Sequence, residues 1–196
     1  RHIIWSSHPS PSVGANQRKN MIFKENEPLA QYTTFRIGGP ARLFCIVVSE
    51  TSLIEAVALA KREKLRILIL GGGSNILISD AGFPGVVIKN EILGKGIIPL
   101  GDGDFRLSVG GGEMWDEVVQ TAVENGLYGI ENLSAIPGSA GAAPVQNIGA
   151  YGLEVADTMY FLRAFDTKTM TFVEFSNKQC KFGYRDSVFK RKKGRY

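Results

Sequence analysis

The chain has 196 residues, 44% of them hydrophobic and 21% charged, enough apolar material for one sizeable core or for two small lobes sharing one, and too much for a disordered chain. The net charge of +4 is accounted for by the closing run Lys190, Arg191, Lys192, Lys193 and Arg195, which reads as a solvated tail without interleaved aromatics or a base-reading module, so nucleic acid is not an expected partner. Cys45 and Cys180 stand far apart, which indicates neither a disulfide framework nor a zinc site, and no apolar run approaches the roughly 20 residues of a membrane span; a soluble, cytoplasmic protein without membrane insertion is expected.

Residues 1–20 have no signal-peptide core and no periodicity, and Met21 follows as a plausible start, so they read as a leader, tag or upstream read-through. Both histidines, His2 and His8, lie there, which removes His-based catalysis and a His metal site from the rest. Residues 41–48 predict a strand. Residues 51–64 place Leu53, Ile54, Val57, Ala58 and Ala60 at helical spacing, with Ser52 and Glu55 as a capping box. Residues 65–70 predict a buried strand that runs straight into Gly71-Gly72-Gly73-Ser74-Asn75. Further strands are expected at 86–89 and 105–109, and a helix at 113–125 opens after Gly110-Gly111-Gly112 and closes at Gly126 as a C′ glycine. Residues 131–152 form a long stretch of small residues with little periodicity, unusual in a compact domain unless a ligand holds it or it packs as a functional loop. A hairpin at 161–165 and 171–175, turning at 166–169, follows.

Glycine, at 23 residues, is concentrated in these clusters. Three glycines followed by Ser74 and Asn75 let backbone N–H groups approach a phosphate without Cβ obstruction, while the two side chains add donors; a pyrophosphate fits, and a plain tight turn is the other reading. No lysine follows as in a P-loop, and residues 76–80 look extended where a Rossmann fingerprint would open a helix. The cluster at 110–112 reads as a strand-to-helix turn. The long loop, with Ile136, Pro137, Gly138, Gly141, Ala142, Asn147, Gly149 and Ala150, leaves room for a flat ring system such as an isoalloxazine against the backbone.

In order, Thr34-Phe35-Arg36-Ile37-Gly38-Gly39-Pro40-Ala41, Leu70-Gly71-Gly72-Gly73-Ser74-Asn75-Ile76-Leu77, Ile136-Pro137-Gly138, Asn147-Ile148-Gly149-Ala150-Tyr151-Gly152 and Phe182-Gly183-Tyr184-Arg185-Asp186-Ser187-Val188-Phe189 resemble the UDP-N-acetylenolpyruvoylglucosamine reductase family. The resemblance implies an α+β fold of the vanillyl-alcohol-oxidase/PCMH type, in which two lobes, about 21–90 and about 91–196, hold FAD noncovalently. It implies that Gly71, Gly72, Gly73, Ser74 and Asn75 hold the pyrophosphate, and that Ile136, Pro137, Gly138, Gly141, Ala142, Asn147, Gly149 and Ala150 contact the flavin. NADPH is the implied reductant, a UDP-linked enolpyruvyl sugar the implied substrate, peptidoglycan synthesis the implied role, and a monomer the implied state at full length.

By the same resemblance Arg185 is the catalytic arginine, and Tyr151, Tyr184 and Arg185 bind substrate. An arginine suits that task, because its planar fork binds a carboxylate bidentately and stays charged as negative charge builds up there. On residues alone, Arg185 beside Asp186 reads as a surface ion pair and the tyrosines as half-buried packing groups. Ser187 lies inside the arginine motif and does not match the family's proton-donating serine, whose Asn-Ala-Gly-Ser-Phe-Phe-like segment is not in this sequence; nor is the family's catalytic glutamate. The substrate domain is therefore expected to be missing, leaving a fragment inactive alone. A different FAD-dependent oxidase of the same fold, and a flavin-binding or degenerate module without activity, are the competing expectations.

Overall fold

The computed structural model describes the strand Ile3–Ser7 (β1) and residues 21–196. These fall into two compact units divided between Ile92 and Leu93, with β1 belonging to the C-terminal one. His2 and His8 lie outside the described residues.

The N-terminal unit is built on a four-stranded sheet. Its strands are β2 (Lys24–Pro28), β3 (Pro40–Val47), β4 (Arg66–Leu70) and β5 (Phe83–Asn90), in the order β2-β3-β5-β4. β2 runs antiparallel to β3, whereas β3, β5 and β4 are parallel. A helix, α1 (Glu50–Arg62), makes the crossover from β3 to β4 and buries Ala56, Val57 and Ala60. Its cap lies three residues earlier than the Ser52–Glu55 box the sequence suggests. The Ser49 side chain accepts from the Ser52 N–H at 3.1 Å and the Ser52 hydroxyl accepts from the Ser49 N–H at 3.0 Å. A serine at the third helical position closes this box as well as a glutamate would, because its short side chain reaches the cap N–H directly. Opposite, Leu29, Phe44, Leu70, Ile78 and Val87 form a second buried cluster, with the Tyr32 ring stacked on Phe44 at 4.4 Å. Each such side chain contributes about 1.5–3 kcal/mol of burial.

The C-terminal unit carries a five-stranded sheet of β6 (Lys95–Gly101), β7 (Asp104–Val109), β10 (Met159–Asp166), β11 (Thr171–Ser176) and β1, in the order β11-β10-β1-β7-β6, while β8 (Gly149–Ala150) and β9 (Leu153–Glu154) form a separate hairpin. β6 and β7 form one antiparallel hairpin and β10 and β11 another; β1, parallel to both β7 and β10, joins them. The segment expected as leader, tag or read-through thus contributes a central strand. β6 was not anticipated, its Gly96, Pro99 and Gly101 disguising a strand. The turn after it, Asp102-Gly103, has φ +52° and +86°, the paired positive values of a type I′ hairpin turn.

Against this sheet packs α2 (Trp115–Glu124), amphipathic, burying Trp115, Val118, Val119 and Ala122 with Leu107, Leu133, Leu162 and Phe175. The Trp115 indole donates to the Leu133 carbonyl at 2.9 Å. Gly126, at φ +65°, closes the helix as expected: its N–H donates to Val123 O and the Leu127 N–H to Ala122 O, both at 2.9 Å, a Schellman pair. The closing basic run is more than a solvated tail. Arg195 grips buried Asp166 at 2.9 Å, Arg191 bonds Asp186 and the Lys181 carbonyl, and Tyr196 packs edge-on against Phe175 and Phe189. Within the described residues, no helix is long and apolar enough to cross a membrane.

Candidate functional site

In the N-terminal unit the glycine triplet leaves β4 and is held by neighbouring backbone. Gly73 sits at φ +70°, and a Cβ there would lie 2.0 Å from the Tyr32 carbonyl oxygen. Its own carbonyl accepts from the Thr34 N–H at 3.0 Å, and Lys89 Nζ donates to the Gly71 carbonyl at 2.9 Å. The motif at 34–41 meets the segment after the triplet in the same way. The Gly39 N–H donates to Ser79 O at 2.9 Å, a Cβ on Gly39 would lie 2.0 Å from Asp80 O, and one on Gly82 would lie 1.9 Å from Pro40 O. Buried Thr33 ties off the first motif by donating to Ile37 O at 2.9 Å. These glycines are therefore required by backbone contact inside the protein. No helix follows the triplet, which fits the reading against a Rossmann turn. Gly71, Gly72 and Ser74 are half-buried and Asn75 is exposed, flanked by exposed apolar Phe35, Ile37 and Leu77.

In the C-terminal unit the long loop is ordered by backbone pairing with the 110–112 turn. Ala140 N–H donates to Glu113 O at 2.8 Å, Gly141 N–H to Gly111 O at 2.9 Å, and Trp115 N–H to Gly138 O at 3.0 Å. A Cβ on Gly141 would meet Gly111 O at 2.8 Å. At the loop's entrance the Asp116 carboxylate accepts from the Ala135 N–H at 2.6 Å and the Ser134 hydroxyl at 2.8 Å, bonds that hold its pKa below the ordinary aspartate value. Ala140 and Ala143 serve the core, while Ile136, Gly138, Gly141, Gly149 and Ala150 are half-buried, and Pro137 and Ala142 exposed. Small size thus permits close chain packing here and leaves several Gly and Ala residues partly open to solvent. Buried Glu113, which the sequence marks only as the start of a helix, braces this region by accepting from the Gly94 N–H at 2.7 Å and pairing with Lys95 at 3.4 Å. Nothing in the local sequence distinguishes it from any helix-start glutamate.

The loop ends in a two-residue hairpin, β8 (Gly149–Ala150) and β9 (Leu153–Glu154), with Tyr151 and Gly152 at its tip at φ +51° and +80°. This is again a type I′ turn, and Tyr151 occupies a position that favours Asn or Gly. A second tight tip follows a short helix, α3 (Asn177–Cys180): Gly183 and Asp186 exchange both backbone hydrogen bonds at 3.0 Å, with Tyr184 and Arg185 between them and Arg185 at φ +51°. Each tip thus carries an exposed non-glycine residue in the left-handed region, Tyr151 in one and Arg185 in the other. The structure brings these tips together, since Arg185 Nη2 donates to the Gly149 carbonyl at 2.9 Å. Tyr151 and Tyr184 are 91% and 85% exposed, so neither is the packing tyrosine that bare sequence allows. Arg191, rather than Arg185, takes Asp186 as its ion-pair partner.

Asn147 and Ser187 are committed inside the protein. Asn147 is fully buried at φ +46°, with side-chain bonds to Glu154, Gly183 and Ala156. Ser187, also buried, caps α4 (Val188–Arg191) and donates to the Val145 carbonyl at 2.6 Å. Cys45 and Cys180 are buried, and burial pushes their thiols up to about 11 and about 12 respectively. Burial thereby disfavours the thiolate that a nucleophile needs. A groove of about 500 Å³ in the N-terminal unit is lined by Glu25, Asn26, Arg42, Leu43, Leu59, Glu63 and Leu65; it shares no residue with the glycine loops.

In the N-terminal unit, residues 71–75 leave backbone donors beside exposed apolar Phe35, Ile37 and Leu77. In the C-terminal unit, Ala142 is exposed and Gly141, Gly149 and Ala150 are half-buried, so small residues there are open to solvent.

Comparison with known proteins agrees. A family model described as FAD binding domain matches residues 41–172. The UDP-N-acetylenolpyruvoylglucosamine reductase of Streptomyces avermitilis is 44% identical over 169 residues, covering 86% of this chain and 45% of that protein. The corresponding reductase of Pseudomonas aeruginosa is 42% identical over 177 residues, covering 90% and 52%. The chain thus spans about half the length of the curated relatives it matches. Among solved structures, UDP-N-acetylenolpyruvylglucosamine reductase from Thermus caldophilus is 30% identical, with a TM-score of 0.65 over 86% of this chain and 56% of that one. 6-Hydroxy-D-nicotine oxidase from Arthrobacter nicotinovorans, 22% identical with a TM-score of 0.56 over 70% of this chain and 30% of that one, shares the fold alone. The resemblance read from the motifs and the α+β FAD-binding fold it implied both stand.

Proposed function

Because this chain belongs to the FAD binding domain family, we propose that it is the flavin-binding part of a UDP-N-acetylenolpyruvoylglucosamine reductase, an NADPH-dependent cytoplasmic enzyme of peptidoglycan synthesis. The observation that carries the reading is the juxtaposition of Tyr151, Tyr184 and Arg185 on two adjoining tips, since these are the three residues assigned to substrate from the motifs.

In this proposal Gly71, Gly72, Gly73, Ser74 and Asn75 hold the FAD pyrophosphate, and the uncovered face at Ile136, Pro137, Gly138, Gly141, Ala142, Gly149 and Ala150 lies against the flavin, with Asn147 serving through its backbone. The bound cofactor supplies hydride, received from NADPH, for the enolpyruvyl carbon. Arg185 binds the substrate carboxylate, and its fixed positive charge stabilises the negative charge that accumulates there as hydride arrives. The phenols of Tyr151 and Tyr184 hydrogen-bond the UDP-linked sugar while their rings pack on it. A proton at the adjacent carbon completes the reduction, a role not assigned to Tyr151, Tyr184 or Arg185. Titrating the FAD-loaded chain with the enolpyruvyl UDP-sugar is expected to perturb the flavin absorption band, and Arg185→Ala to weaken that titration at least about tenfold, as loss of a charge-assisted bond requires. A wild-type band that does not respond, or a response indifferent to Arg185, contradicts the proposal.

A further inference from the structure

We infer that Asn147 is a positioning residue, its buried amide clasping the bases of both tips so that Tyr151, Tyr184 and Arg185 form one surface. The functional meaning of the clasp rests on the reading of those three as substrate contacts; its geometry does not.

Asn147 Nδ2 donates to Glu154 Oε2 at 2.7 Å and to the Gly183 carbonyl at 3.1 Å, while Oδ1 accepts from the Ala156 N–H at 3.0 Å. Glu154 is the strand partner of Gly149 at the base of the first tip, and Gly183 pairs with Asp186 at the base of the second. One side chain therefore bridges the bases of two hairpins, reaching the second at Gly183, 36 positions along the chain from Asn147. It uses both amide hydrogens and the carbonyl oxygen, in a residue with no exposure to solvent.

Asparagine is the residue type that satisfies both demands. Its backbone at φ +46° lies in the left-handed region that asparagine tolerates, and its amide offers two donors and an acceptor on one short arm. Aspartate would lose both donors and set a second carboxylate against Glu154. Further ties converge on the same place: Ser187 Oγ donates to Val145 O at 2.6 Å, Lys190 Nζ to Arg185 O at 2.7 Å, and Arg185 Nη2 to Gly149 O at 2.9 Å. The tyrosine rings, almost wholly exposed, have little packing to fix them, so their separation is set by the bases of the tips. A surface ordered in advance spares a ligand the entropy of ordering two independent loops.

The test uses the full chain labelled with 3-fluorotyrosine and read by ¹⁹F NMR, each resonance assigned by Tyr→Phe substitution. Asn147→Gly keeps the left-handed backbone without strain and deletes only the side chain; Asn147→Asp keeps the shape and removes the donors. Both are expected to shift or broaden the Tyr151 and Tyr184 resonances while Tyr32, Tyr128 and Tyr196 stay in place, and to weaken a titration of those two signals with UDP about tenfold. Tyr151 and Tyr184 signals unmoved in both variants would overturn the inference, as would a shift of all tyrosines together, which marks general unfolding. Selective disturbance of the two tips with no UDP response even in the wild type supports the clasp and removes the substrate reading instead.

Discussion

At Gly73 the demand for glycine is steric and conformational at once. Its φ of +70° is open to a side chain only at a cost, and the Tyr32 carbonyl already stands 2.0 Å from where a Cβ would go. Gly73→Ala must therefore push apart the 32–34 turn and the triplet, and is expected to cost about 2 kcal/mol or more. A denaturant midpoint unchanged in that variant would show that the loop yields freely. The same residue illustrates what sequence alone conceals. A glycine triplet after a strand is compatible with an empty turn, a phosphate cradle or a close chain crossing, and the choice at Gly73 depends on Tyr32, 41 positions upstream. The candidate residues differ in this respect. Arg185, Tyr184 and Tyr151 were assigned from their motifs, whereas the duty of the Asn147 side chain depends on Gly183 and Glu154, which sequence does not place beside it.

Among the elements, those whose instructions are local were legible and those needing a distant partner were not. The helix α2 announced its end through Gly126, and the hairpin β10–β11 through its paired apolar runs. β6 was hidden by its glycines and proline although the Asp102-Gly103 turn after it is a strong hairpin signal, and the α1 cap was placed three residues late because Ser49 and Ser52 close the box without a glutamate. The entrance to the long loop depends on Asp116, whose carboxylate is held low by the Ala135 N–H first and the Ser134 hydroxyl second. A carboxyl with a pKa depressed by folding stabilises the fold above its unfolded value, about 3.9, and loses that contribution as pH falls through the folded value. Hydrogen exchange at the Ala135 amide, referenced to intrinsic rates, is therefore expected to lose protection in acid below about pH 4. Asp116→Asn should abolish that pH dependence; acid-insensitive protection in the wild type would contradict it.

For the molecule as a whole, the larger sheet is two hairpins joined by β1, and β7 and β10 have no direct pairing with each other. Two-stranded hairpins are marginal by themselves. Deleting residues 1–20 should strip exchange protection from Leu107 and Leu162 in β7 and β10 while α1 and β5 keep theirs; protection retained at both positions would show that β1 is dispensable. In the proposed reading, the glycine and alanine loops bind FAD. Its most direct test is a thermal denaturation of the purified chain titrated with FAD. Binding to the native state alone stabilises by about 2.7 kcal/mol at a hundredfold excess over Kd, so the midpoint is expected to climb with FAD concentration and the flavin absorbance to stay with the protein through gel filtration. A midpoint indifferent to FAD, with a colourless protein peak, would contradict it.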